Sequence, residues 1–106
     1  MIWNETIDSF RTYLILEKSL STNSVEAYLN DIRKLGAYCE QRTPSLNPKE
    51  VSYDALNEHL SALKESGVTP RTQARSISSI KSFFKYLLYD GAIGLNPANS
   101  LDAPKI

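Results

Sequence analysis

The chain has 106 residues, enough for one domain that buries a core without disulfides or metal. Its composition is ordinary for a globular protein, and its net charge is zero, which speaks against a nucleic-acid partner if only the total is considered. The single cysteine, Cys39, excludes an internal disulfide and makes a reducing compartment the default, while no apolar run approaches a membrane span and no signal peptide opens the chain, so a soluble cytoplasmic protein is expected.

A first helix is expected from about Asn4 to Lys18. Ile7, Phe10 and Leu14 recur at helical spacing, Asn4 is available as a cap, and Glu5 and Asp8 sit in the first turn, where the helix dipole favours acids. The run 20–24, polar from Ser21 onward, is a cap cluster, in which Ser21 or Asn23 can open a second helix reaching about Gln41. Val25, Leu29, Ile32, Leu35 and Cys39 form its inward stripe, with Tyr28 and Asp31 beside it. Its first turn carries hydroxyls, an amide and free backbone N–H donors, a natural seat for phosphate as well as a simple cap.

Pro44 and Pro48 mark a surface loop, after which Ser52 caps a third helix from about Tyr53 to Ser66 with Leu56, Leu60 and Leu63 buried and Gly67 as its stop. His59 lies in this helix without cysteine or histidine at metal-ligand spacing, so it reads as structural or exposed and no metal is expected.

Thr69-Pro70 combines a hydroxyl N-cap with a proline at the first helical position, and Gly91 supplies the matching stop. Between them Ala74, Ile77, Ile80, Phe84, Leu87 and Leu88 form an apolar stripe. Arg71, Arg75, Ser78, Ser82 and Lys85 gather roughly 140° round the same helix at about 100° per residue. The stretch 69–90 carries four cations against Asp90 alone, whereas 43–68 holds two lysines against four acids. The neutral total thus conceals a polarised chain. Asn96-Pro97 repeats the cap-plus-proline signal and predicts a short fifth helix through Leu101; residues 102–106 read as a linker. No strand alternation occurs, so the expected fold class is all-α, an orthogonal bundle of four helices plus a short C-terminal helix.

Catalytic chemistry is missing. There is no nucleophile with a base, no paired carboxylates at helical spacing in a pocket and no glycine-rich phosphate loop, and the four glycines read as helix ends or loop positions. Tyr13, Tyr28, Tyr38, Tyr53, Tyr86 and Tyr89 all fall within helices, mostly at the edges of apolar stripes. The chain alone is not expected to be an enzyme, and it calls for no cofactor, small-molecule substrate or membrane.

Three blocks resemble the N-terminal core-binding, SAM-like domain of the bacterial tyrosine recombinases of the Xer and phage-integrase type. They are the run from Leu16-Glu17-Lys18-Ser19-Leu20-Ser21 through Tyr28 to Asp31-Ile32, the run Thr72-Gln73-Ala74-Arg75 through Phe83-Phe84-Lys85-Tyr86-Leu87, and Asn96-Pro97-Ala98 with Ala103-Pro104-Lys105. Ser24 stands where threonine is usual and Lys81 where arginine is common; both keep the hydroxyl or the charge.

The resemblance implies a DNA-binding domain over 1–101 that clamps one side of double-stranded DNA with its second and fourth helices in the major groove. It further implies other recombinase protomers as partners in a synaptic complex, and catalytic residues beyond residue 106. Arg71, Thr72 and Arg75 are then the main contacts, and Ser21, Asn23 and Ser24 meet phosphates or base edges. Ser78, Ser79 and Ser82 either donate to phosphates or pack at a helix crossing. Lys81 and Lys85 are more peripheral candidates, and Asp31 is available to pair with Arg75 or Lys81. The competing reading is a helical protein-interaction module without DNA binding, suggested by the zero net charge and by Trp3 and Tyr89 as exposed aromatics. A helix-turn-helix repressor is disfavoured by the long link between the second and third helices.

Overall fold

Each of the last three helices opens where a hydroxyl meets an apolar period. In the computed structural model, which describes residues 1–101, the helices are α1 (Trp3–Leu16), α2 (Thr22–Gln41), α3 (Tyr53–Glu65) and α4 (Pro70–Tyr89), with no strand among the described residues. The expected linker at 102–106 lies outside the described residues. Ser21, Ser52 and Thr69 each accept a hydrogen bond from the amide three residues on, which satisfies a donor the helix itself leaves free and contributes about 1 kcal/mol apiece. Gly67 and Gly91 follow α3 and α4 at φ 94° and 79°, left-handed values that would strain a residue with a Cβ.

The start of α1 is set by burial rather than by a cap. Asn4 is exposed inside the helix, and the N-cap position belongs to Ile2, whose side chain offers no hydrogen bond. Trp3, expected to be exposed, is only 4% accessible; its Nε1 donates to the Leu46 carbonyl at 2.9 Å. Its indole lies across Gly36, which is neither a helix end nor a loop residue but the middle of α2. A Cβ on Gly36 would stand 3.2 Å from two indole carbons, so the backbone freedom conceded by a mid-helix glycine is exchanged for the close approach of α1.

Below the indole the core is aromatic. Trp3 stacks on Phe83 at 5.9 Å, Phe10 meets Phe83 edge-on at 5.3 Å, and Tyr13 and Tyr86 extend the cluster outward. Leu29, Ile32, Leu35, Leu56, Ile80, Phe84 and Leu87 are among the other buried side chains, each giving about 1.5–3 kcal/mol on leaving water. The most extensive helix contact is between α2 and α4. Leu88, expected in the apolar stripe, is instead 41% exposed at the stripe's margin.

The expected fifth helix is not formed. Asn96 Oδ1 does accept from the Ala98 amide at 2.9 Å, so the cap begins a turn, but the chain continues through i to i+3 bonds from Asn99 to Asn96 and from Leu101 to Ala98. Ala98 and Leu101 are drawn into the core, and one tight turn with few bonds does not overcome the cost of helix nucleation.

His59 is structural, buried in α3 against the Tyr38 ring at 5.3 Å, with no hydrogen-bond partner for Nε2. Burial pushes its pKa down to about 4, aided by Lys34 and opposed by Asp31. Burial also pushes the Cys39 thiol up to about 11, leaving it protonated and unreactive at neutral pH.

Gly36→Val is predicted to lower stability by about 2 kcal/mol through overpacking against the indole, read as a fall in the thermal unfolding midpoint. An unchanged midpoint would show that Trp3 yields. For His59, the unfolded chain takes up a proton below about pH 6.5 that the folded chain refuses until about pH 4. Stability is therefore predicted to fall as pH drops through that window, by up to about 1.4 kcal/mol per unit. Urea midpoints at about pH 7 and pH 5 should differ by less in His59→Leu than in the native chain, and an equal difference would assign the effect to other groups.

Candidate nucleic-acid interface

The polar feature of the α2–α4 crossing is one carboxylate. Asp31 projects from the middle of α2 toward the second and third turns of α4, and its side chain is 1% exposed. Arg75 grips it with two parallel bonds, Nε to Oδ2 at 3.0 Å and Nη2 to Oδ1 at 2.9 Å. Ser79 Oγ donates to Oδ2 at 2.6 Å, and Ser76 Oγ reaches Oδ1 at 3.5 Å. A buried carboxylate is tolerated only when paired and hydrogen-bonded, and here a cation and two hydroxyls meet both conditions. The hydrogen bonds from Arg75 to Asp31, with their opposite charge, hold the guanidinium pKa above its ordinary value.

This arrangement divides the residues singled out in the sequence. Ser79 is fully buried, so of the two roles open to it the crossing role is the one taken, and it is removed from the set that can touch a ligand. Arg75 is committed along one edge, yet its side chain stays 41% exposed. Arg71, Ser78, Lys81 and Lys85 are exposed and Ser82 is half-buried. Among the described residues Arg71, Lys81 and Lys85 have no carboxylate within ion-pairing distance. Thr72 is half-buried, and its hydroxyl bonds the capping Thr69 hydroxyl at 3.1 Å.

At the opening of α2, Ser21 is the cap. Its Oγ accepts from the Ser24 amide at 3.3 Å and donates to the Ser24 hydroxyl at 3.1 Å. Asn23 is exposed and takes no part in capping, and Glu26, rather than closing a capping box, pairs with Arg11 of α1 and with Arg33. Ser76 was not singled out. It lies on the helical wheel between Ser79 and the apolar arc, and the signal that could have found it is a hydroxyl pair at i and i+3 opposite an acid at the edge of a facing stripe.

None of these residues lines the open hollow of about 1020 Å³ walled by Tyr53, Leu88, Ile93 and Leu95 among others. The candidate interface is a convex helix face, a shape suited to a groove in a partner rather than to a small molecule. Among the described residues no cluster of histidine, cysteine, aspartate and glutamate has the geometry of a metal site, and no helix is long and apolar enough to cross a membrane.

The profile of the phage integrase N-terminal SAM-like domain matches residues 7–91, a span that takes in α2, α3, α4, all but the first turn of α1 and the whole Asp31 network. The chain belongs to this family. Among curated relatives of this SAM-like domain, tyrosine recombinase XerD of Listeria innocua is 32% identical over 96% of the chain and 34% of its own length. XerD of Pseudomonas aeruginosa is 36% identical over 94% of the chain and 33% of its own length. XerD of Chlorobaculum tepidum is 33% identical over 98% of the chain and 34% of its own length. The chain thus spans about a third of the length of the curated relatives it matches. No solved structure matches it.

The carboxylate, not the guanidinium, is the end of the ion pair that cannot be left unpaired. Arg75→Ala is predicted to strand an unpaired carboxylate in the crossing and cost roughly 3 kcal/mol, the lower end for a broken buried pair. Asp31→Asn keeps the shape and leaves a guanidinium that water can reach, so it is predicted to cost less. Urea unfolding of both variants tests the order, and a larger loss in Asp31→Asn would mean that the crossing depends on the carboxylate's acceptors rather than on its charge balance.

Proposed function

We propose that the chain is the DNA-binding, core-binding domain of a cytoplasmic site-specific tyrosine recombinase, clamping one face of duplex DNA with α4 and the opening of α2 in the major groove. The observation that carries this is the unpaired cationic face of α4, on which Arg71, Lys81 and Lys85 have no acidic partner among the described residues. The major groove is wide enough to admit an α-helix, and arginine matches both phosphate and a guanine edge. Arg71, Thr72 and the open edge of Arg75 make the main contacts. Ser21, Asn23 and Ser24 seat phosphate with the free amides of the first turn of α2. Ser78 and Ser82 donate to the backbone, and Lys81 and Lys85 add charge further along.

Strand cleavage and joining belong to the portion of the recombinase corresponding to the remaining two thirds of the relatives' length, joined through 102–106. Residues 1–101 supply grip and orientation. Other protomers of the recombinase are the protein partners. The exposed Leu88, Tyr89 and Leu95 favour such contacts, Tyr89 at 82% and Leu95 at 88% exposure. The reading as a protein-interaction module without DNA binding loses Trp3 from its support, because that residue is buried.

Arg71→Ala is predicted to weaken duplex binding several-fold and to lower the slope of log affinity against log salt by about 0.9, with the helical circular dichroism unaltered. Fluorescence anisotropy across a salt series reads both quantities. Arg71 is the cleaner variant here, since substituting Arg75 also disturbs folding. Undiminished affinity and slope would take the first turn of α4 out of the interface.

A further inference from the structure

Arg75 is a cation whose charge is already spent. A guanidinium has five N–H donors, and Asp31 takes two of them, from Nε and Nη2. Of the three that remain, one on Nη1 and the second on Nη2 point along the outward, end-on edge while the other Nη1 hydrogen points back toward Cδ; none has an acceptor among the described residues, although the side chain is 41% exposed. That outward edge, formed by Nη1 and the second hydrogen of Nη2, is the end-on fork that can bond two acceptors at once. Asp31 is itself fixed in place by Ser79 and Ser76 from below, so the plane of the fork is set by the α2–α4 crossing before any ligand arrives.

We propose that Asp31 is a positioning residue that turns Arg75 into a reader of a base edge, so that this arginine contributes to sequence discrimination and almost nothing to salt-dependent affinity. The inference rests on the DNA-binding reading above and adds a division of labour to it. A phosphate contact strengthens binding by releasing counterions in proportion to the net positive charge brought up. The Asp31–Arg75 pair brings none, whereas Arg71, Lys81 and Lys85 each bring a full charge. A purine edge asks instead for two donors in one plane, and guanine offers O6 and N7 side by side in the major groove. Because the rotamer is fixed on folding, the ordering cost of that contact is met before binding. The partner of the fork is therefore a guanine edge, and the wrong base leaves a held donor pair facing nothing.

The test uses the 106-residue chain and a randomised duplex library to find the preferred sequence. Anisotropy titrations then follow on that duplex and on its single base-pair substitutions, from about 50 to about 200 mM salt. The native chain is expected to prefer one G·C pair at a single position by at least about fivefold. Asp31→Asn is expected to lose that preference and to gain about 0.9 in salt slope, because the arginine becomes a free cation. Arg75→Lys keeps the charge beside Asp31 but lacks the fork, so it is expected to lose the preference without gaining slope; it decides the matter if Asp31→Asn does not fold. A native chain that binds every duplex alike, or variants that keep both preference and slope, would overturn the inference. The two readings fail differently: no duplex binding by the native chain sinks the DNA-binding reading itself, while salt-dependent binding that responds to Arg71→Ala but not to Asp31→Asn or Arg75→Lys sinks only the role given to Asp31.

Discussion

One carboxylate under a helix crossing governs this domain. An ionised aspartate out of reach of water is costly unless donors surround it, and those donors must come from the helix on the other side. Asp31 thereby fixes which face of α4 turns inward. Only one azimuth of α4 brings Arg75, Ser76 and Ser79 to a single acceptor while seating Ile80, Phe84 and Leu87 in the core. Apolar packing alone leaves a helix some freedom to roll. A buried charge requirement has much less, which is the sense in which a polar joint specifies an arrangement that it stabilises only modestly.

The same joint sorts the polar residues of α4 by task. On a wheel the helix has a run of hydroxyls and a run of cations, and charge alone does not say where structure ends and function begins. The boundary passes through Arg75. Inward of it, Ser76 and Ser79 serve the fold; outward of it, Arg71, Ser78, Lys81 and Lys85 face solvent. The residue on the boundary belongs to both sets, and in the DNA-binding role proposed above any substitution there acts on stability and on recognition together.

Much of this was legible in the sequence because helix ends have local causes. Ser21, Ser52, Thr69-Pro70, Gly67 and Gly91 act through bonds and dihedrals within a few residues of themselves, so the bounds of α2, α3 and α4 follow from short-range chemistry. What escaped depends on contacts distant in sequence. Trp3 is buried because Gly36, more than thirty positions away, leaves room for it, and no window around either residue contains that fact. Ser79 was placed on the correct helix but could not be assigned a side, since a serine is small and polar enough for either a crossing or a phosphate. Only the facing Asp31 decides it.

Zero net charge is compatible with a DNA-facing surface for a related reason. Charges act within roughly 10 Å at moderate salt, so what a duplex meets is the local pattern and not the total. The acids that balance the chain are placed where they do not cancel the α4 face. Asp54, Glu58 and Glu65 lie on the exposed side of α3, with Glu58 drawn to Arg42 and Tyr38, and Glu26 is occupied by Arg11 and Arg33. Of the acids on the other helices, Asp31 alone pairs with α4 among the described residues, and it does so from beneath, through the arginine with which it also holds the helices together. In the clamping role proposed above, a module with few uncompensated cations grips weakly on its own, and most of the affinity depends on both jaws closing on the same duplex.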